Sequence, residues 1–205
     1  MKTPSALPDD YAARRIADLH DQSLATSQLK TPPPTLPDSP LWQAITDNHR
    51  CNTLLWDEED QARRRDVPDS VIAHSKRLID GHNQRRNDAI ECMDELILSL
   101  LPRQPSPAAR LHSETAGGLI DRLSILSLKI HHMDWQTRRS DADASHVVTS
   151  FARLERLREQ REDLLICLDT LFHCCLDGTL YFKVYRQFKM YNDPKFNPWL
   201  AGSDI

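Results

Sequence analysis

An all-α fold is what this chain predicts, and three observations carry the prediction. Its 13 prolines fall near the termini, in two linkers or at a helix start, leaving proline-free windows at 69–101, 108–139 and 140–193. Only five glycines occur, and nothing follows a strand-turn-strand rhythm. Residues 114–133, ETAGGLIDRLSILSLKIHHM, place Leu119, Leu123, Leu126 and Ile130 on one stripe, with Ile120, Ile125 and Leu128 over much of the rest. A helix with no clean polar face belongs in an interior. The expected architecture is an antiparallel bundle of four main helices, with an N-terminal helical arm and an aromatic-basic C-terminal segment.

The arm is read over residues 9–28, joined through the stiff stretch TPPPTLPDSP. Residues 1–39 then form arm and linker, 40–199 the helical bundle domain, and 200–205 a tail. The first main helix is expected over 40–65, with Leu41, Ile45, Asn52, Trp56, Glu59 and Arg63 along one face. The second spans 68–101, Pro68 sitting in its first turn, with Val71, Leu78, His82, Arg86, Ile90, Met93 and Ile97 aligned. The third begins after Ser113, read as its N-cap, and ends near 139. The fourth covers 143–175, with Phe151, Leu154, Arg158, Arg161, Leu165, Leu168 and Phe172. Short connections favour antiparallel neighbours.

The C-terminal segment YFKVYRQFKMYNDPKFNPWL interleaves seven aromatics with Lys183, Arg186, Lys189 and Lys195. Tyr181, Tyr185, Phe188 and Tyr191 fit a helix, and Phe182, Val184, Phe188 and Met190 fit a strand. A short helix followed by a proline-containing tail is preferred, with Tyr185, Arg186 and Tyr191 packed on the bundle.

A net charge of −4 and a pI near 6.1 give no whole-chain case for nucleic acid or anionic membrane as partner. No apolar run approaches the roughly 20 residues of a membrane span. The N-terminus MKTPSALPDDYAARR lacks the apolar h-region of a secretory signal, so a cytoplasmic location is expected. The cysteines form no CxxC pair and read as small hydrophobes in helices.

The chemistry is signalled by polar groups on stripes that should be apolar. They are His49, Asn52, Glu59 and Arg63 on the first helix, and His82, Asn83, Arg86, Asn87 and Asp94 on the second. The third adds Asp121, Arg122, Lys129 and His132, and the fourth Arg158 and Arg161. Unpartnered charges are too costly to bury, so an inward polar network is expected. Such a network can serve a ligand or only fix helix register.

A transition-metal site is not expected, because no E-x-x-H occurs and no two histidines stand four apart. Glu58 and Glu59, with Glu91 and Asp94, loosely resemble the acidic helix pair of all-α nucleotide pyrophosphohydrolases of the MazG type, which implies Mg²⁺ under that alternative alone. Solvated helix charges are the ordinary reading of the same pattern. Gly117 and Gly118 open the third helix, for close packing or for approach of a phosphate.

The runs LWQAITDNHRCNTLLWDEEDQARRRDV, SETAGGLIDRLSILSLKIHHM and YFKVYRQFKMYNDPKFNP resemble a bacterial family catalogued as domain of unknown function forty-two fifty-four. Its pattern reads NHRxNxxLWxEED, SETxGSxIDRLSILxLKIxHM and FKVYRQFKMYNDPxxNP. His49, Asn52, Trp56, Glu58, Glu59, Asp60, Asp121, Arg122, Lys129, His132, Tyr185, Arg186, Lys189, Tyr191, Asn192 and Asp193 match, and Gly118 replaces the frequent Ser. The resemblance spans about 40–198 and implies fold and motif boundaries but no activity. Genes of the family often neighbour glycosyltransferase genes, which implies a link to cell-surface glycan assembly.

The resulting expectation is a cytosolic binding or accessory protein that needs no cofactor. Arg63, Arg86, Arg122, Lys129 and Arg158, with Tyr185 and Arg186 nearby, would suit an anionic ligand such as a nucleotide-sugar or sugar phosphate. The partner is then that small anion or a glycan-biosynthesis protein. The alternatives are a Mg²⁺-dependent phosphoanhydride hydrolase and a non-catalytic scaffold.

Overall fold

The computed structural model describes residues 11–29, 38–101, 105–186 and 194–200. Five helices account for most of them: α1 (Ala13–Leu29), α2 (Pro40–Ala62), α3 (Asp69–Leu100), α4 (Ala116–Thr137) and α5 (Ala144–Leu176). Two short strands, β1 (Arg110–Leu111) and β2 (Leu180–Tyr181), pair in parallel. No helix among the described residues is long and apolar enough to cross a membrane.

Local chemistry sets the helix ends. Pro40 occupies the first turn of α2, where a missing N–H is no loss. Pro68 stands one place earlier than expected, in the cap position before α3. Thr115, not Ser113, caps α4, its hydroxyl accepting from the Gly118 amide at 3.1 Å. Asp143 caps α5 by accepting from the His146 amide at 2.8 Å. Gly178, at φ 78°, ends α5 in the left-handed region, and the Thr179 amide returns to the Cys174 carbonyl at 2.9 Å. That bond is the Schellman closure.

The helices associate chiefly as two pairs, α2 with α3 and α4 with α5, and α4 touches every other helix. This central position accounts for its nearly all-round apolar character. The core combines Ile45, Met93, Ile97, Ile120, Leu123, Leu168, Leu171 and Phe172.

Helix α1 corrects the expectation of an arm. Ala13, Ile16, Ala17, Leu19 and Leu24 are buried, and α1 lies against α2, α4 and α5. Each large aliphatic side chain so buried contributes about 1.5–3 kcal/mol. The Ala13 amide bonds Asp169 at 2.9 Å, and Asp21 accepts two bonds from Arg161 at 2.8 Å. Tyr11, just before α1, stacks on the buried Trp42 with ring centroids 5.5 Å apart.

The C-terminal segment also differs from its expected helix. Tyr181 lies in β2, and residues 182–186 continue without helical structure. The Arg110 amide bonds Thr179 O at 3.0 Å, and the His112 amide bonds Tyr181 O at 2.7 Å. This pairing holds Phe182 in the core. Tyr185, expected to pack, is 72% exposed, and Phe196 and Trp199 are exposed as well. Tyr191, Lys189 and their neighbours lie outside the described residues.

Candidate functional site

Asp121 is the hub of the interior. It is 3% exposed, and its Oδ1 accepts from Asn48 and Asn52 of α2, each at 2.9 Å, and from Arg86 Nε of α3 at 2.7 Å. Arg86 also donates to Oδ2, completing a two-bond clasp. Asn52 donates to the Ser124 hydroxyl at 3.0 Å, and that hydroxyl shares a 2.8 Å bond with His49 Nδ1. Three helices are thus joined through one carboxylate. The hydrogen bonds to Asp121 raise the pKa of Arg86 further above its ordinary value, against the lowering effect of burial.

Beyond His49 lies His20 of α1, its ring stacked 4.5 Å away. Both His20 nitrogens and His49 Nε2 are buried without a hydrogen-bond partner. Burial pushes His49 down to about 4. Burial, then His49 and Arg161, push His20 well below its ordinary value. Both imidazoles are neutral at pH 7. Asn48, Ser124 and His20 were not singled out from sequence. Asn48 and Asn52 stand four apart, and so do His20 and the apolar Ile16 and Leu24, which is the helical spacing that could have found them.

Several expected inward groups face outward. Glu59 and Arg63 pair with each other at 2.8 Å across one turn, Arg63 exposed and Glu59 half-buried. Arg122 is exposed and donates to Glu114 at 2.7 Å. Asp121 and Arg122 are adjacent, so they point about 100° apart and only one can face the hub. Arg158 is half exposed and pairs with Glu155 at 2.7 Å. Lys129 is exposed, Asn87 is half-buried, and Arg186 pairs with Glu91 at 3.1 Å and with Glu95. His82 is buried, but it accepts from Arg85 at 2.7 Å in a separate groove between α2 and α3.

Three of the four carboxylates of the Mg²⁺ alternative, Glu59, Glu91 and Asp94, each have a different partner. Glu91 meets Arg186, and Glu59 meets Arg63. Asp94 is buried and accepts from the Gly117 amide at 2.6 Å, anchoring the start of α4. Burial raises Asp94 to about 6, against the lowering effect of the Thr115 and Gly117 bonds. Among the described residues no three His, Cys, Asp or Glu side chains are grouped as a metal site. Of the cysteines, Cys51 and Cys175 are buried, whereas Cys92 and Cys167 are exposed.

Open space gathers around Trp56 and His132. Their rings lie 4.3 Å apart and 6° from parallel, joining α2 to α4. Together they wall a cleft of about 440 Å³ that also takes Lys129, Arg153 and Arg156. No carboxylate lines it. On the other side of Trp56 a second cleft of about 440 Å³ reaches Asn52 and Arg86, the outer edge of the Asp121 hub. A groove of about 700 Å³ between α4 and α5 shares Lys129 and Gln160 with the Trp56–His132 cleft. Burial, then His131, lower the pKa of His132.

The sequence profile described as "Protein of unknown function (DUF4254)" matches residues 42–184. The chain belongs to this family. The DUF4254 match takes in α2 to α5 and the strand pair, and it leaves out α1 and everything from Tyr185 onward. It therefore ends earlier than the motif resemblance, which ran to about 198. The Asp121 hub, the Trp56–His132 wall and all three cations of the cleft fall inside the DUF4254 segment. His20 comes from outside it. No curated protein and no solved structure matches the chain.

Proposed function

We propose that this DUF4254 chain binds a phosphate-bearing small molecule in the Trp56–His132 cleft. The observation that carries this reading is the lining itself: three cations, an aromatic wall and no carboxylate. A phosphate group is recognised by convergent Arg and Lys donors, and flat rings offer a stacking surface to a planar group. Of the expected ligand residues, Lys129 and His132 belong to this cleft. Arg86 and Asp121 serve it indirectly by fixing α2, α3 and α4 together. Arg153 takes the binding role expected of Arg63, Arg122 and Arg158, with Arg156, which also pairs with Glu159 at 3.0 Å, beside it in the cleft lining.

Binding is the chain's task in this reading, and Mg²⁺ is not required for it. The protein works in the cytoplasm as a binding or accessory component, and its five free cysteines suit a reducing compartment. A thermal-shift survey of nucleotides and sugar phosphates, with and without Mg²⁺, tests the proposal. At a hundredfold excess over Kd a bound nucleotide should raise Tm by about 5 °C or more. A shift that requires Mg²⁺ and comes with release of phosphate would favour the hydrolase alternative. No shift with any phosphate compound would remove the proposal.

A further inference from the structure

We infer that the ligand is a nucleoside diphosphate carrying a sugar, held across two neighbouring clefts. The inference rests on the binding reading above and adds the ligand's second half. Lys129 and Gln160 line both the Trp56–His132 cleft and the larger groove between α4 and α5, so the two clefts are neighbours with those side chains between them. The chemistry of the two clefts differs. The Trp56–His132 side is aromatic and cationic. The α4–α5 groove, about 700 Å³, instead presents Glu114, Asp163, Ser113, Gln160 and the Arg122 guanidinium.

Arg122 and Glu114 pair with each other at 2.7 Å. With Asp163 and Gln160 close by, they form a complementary set for vicinal hydroxyls, which donate to the carboxylates and accept from the amide and the remaining guanidinium N–H groups. A lone nucleotide would leave the groove unused, and a free sugar would leave the cations unused. The shared cation Lys129 falls where a diphosphate would link the two parts. Trp56 and His132 are stacked on each other at 4.3 Å, so a planar base would lie against the ring surface that they turn to the cleft, not between the rings. The sugar diphosphate of a lipid carrier shares the phosphate chemistry, so it is an arm of the test.

Titration calorimetry on the full chain decides between these cases. The probes are uridine and adenosine diphosphates, each with and without glucose attached, together with geranyl diphosphate. Two or three hydrogen bonds to the sugar should tighten binding about tenfold over the parent diphosphate. Asp163→Asn combined with Glu114→Gln should bring that ratio close to one, with circular dichroism checking the fold. Equal affinity for sugar-bearing and parent diphosphates overturns this inference and leaves the binding reading standing. Tighter binding of geranyl diphosphate than of either nucleotide also overturns it. A chain that binds none of these probes overturns both.

Discussion

Arg86 of α3 clasps both carboxylate oxygens of Asp121 of α4, and two asparagines of α2 complete the same acceptor. Removing the acid strands a charge and two amides. Asp121→Ala should therefore lower the unfolding free energy by about 3–5 kcal/mol in urea titration. Adding Arg86→Met should recover part of that loss, because no buried ion then remains. A loss below about 1 kcal/mol for Asp121→Ala would show that the hub contributes nothing.

Gly117 and Gly118 are neighbours with opposite tolerance. A Cβ at Gly117 would stand 2.6 Å from the Ile90 carbonyl oxygen and 2.8 Å from Asp94 Oδ1. The first contact is backbone and cannot swing away. Gly117→Ala should cost about 1–3 kcal/mol through displacement of α4 from α3. At Gly118 the nearest atom is the Thr115 hydroxyl at 3.2 Å, a side chain able to give slightly. Gly118→Ala should change stability by less than about 1 kcal/mol, of either sign. Equal losses at the two positions would contradict the close α3–α4 approach.

Helices were legible because their apolar spacing and proline boundaries agree, and their ends fall within a few residues of expectation. Helix α1 was misjudged as an arm because the proline stretch after it suggested separation. Its Ala13, Ile16, Ala17, His20 and Leu24 nonetheless repeat at helical spacing. The candidate site was only partly readable. Asp121, Asn52 and His49 lie on an inner face, but Arg63, Arg122 and Arg158 each reach a carboxylate nearby in sequence and stay outside. Composition on a stripe cannot distinguish a charge paired across the interior from one paired along its own surface. The pairing of Arg110 with Leu180 joins positions far apart in sequence, and two residues leave no alternation to read.

The stacked His20 and His49 make stability depend on acid. Both are held neutral in the fold, while the unfolded chain binds protons below the ordinary histidine value of 6.5. Stability should fall as pH drops from about 6.5 towards 4, where His49 itself protonates. For His49 alone the full effect is about 3 kcal/mol. Asp94, raised to about 6, acts in the opposite sense between about 6 and its ordinary 3.8, because its proton is bound more tightly in the fold. Melting temperatures across this range should flatten in His20→Phe and steepen in Asp94→Asn. Parallel curves for wild type and His20→Phe would contradict the assignment.

The central claim is that Lys129 and Arg153 bind phosphate beside the Trp56–His132 wall. Titration calorimetry with uridine diphosphate, comparing wild type with Lys129→Ala/Arg153→Ala, measures it directly. Both side chains are exposed, so the double variant should fold and melt as wild type does. Loss of two charge-assisted phosphate contacts should weaken binding about a hundredfold. Unchanged affinity in the double variant, or no binding by the wild type, would contradict the account.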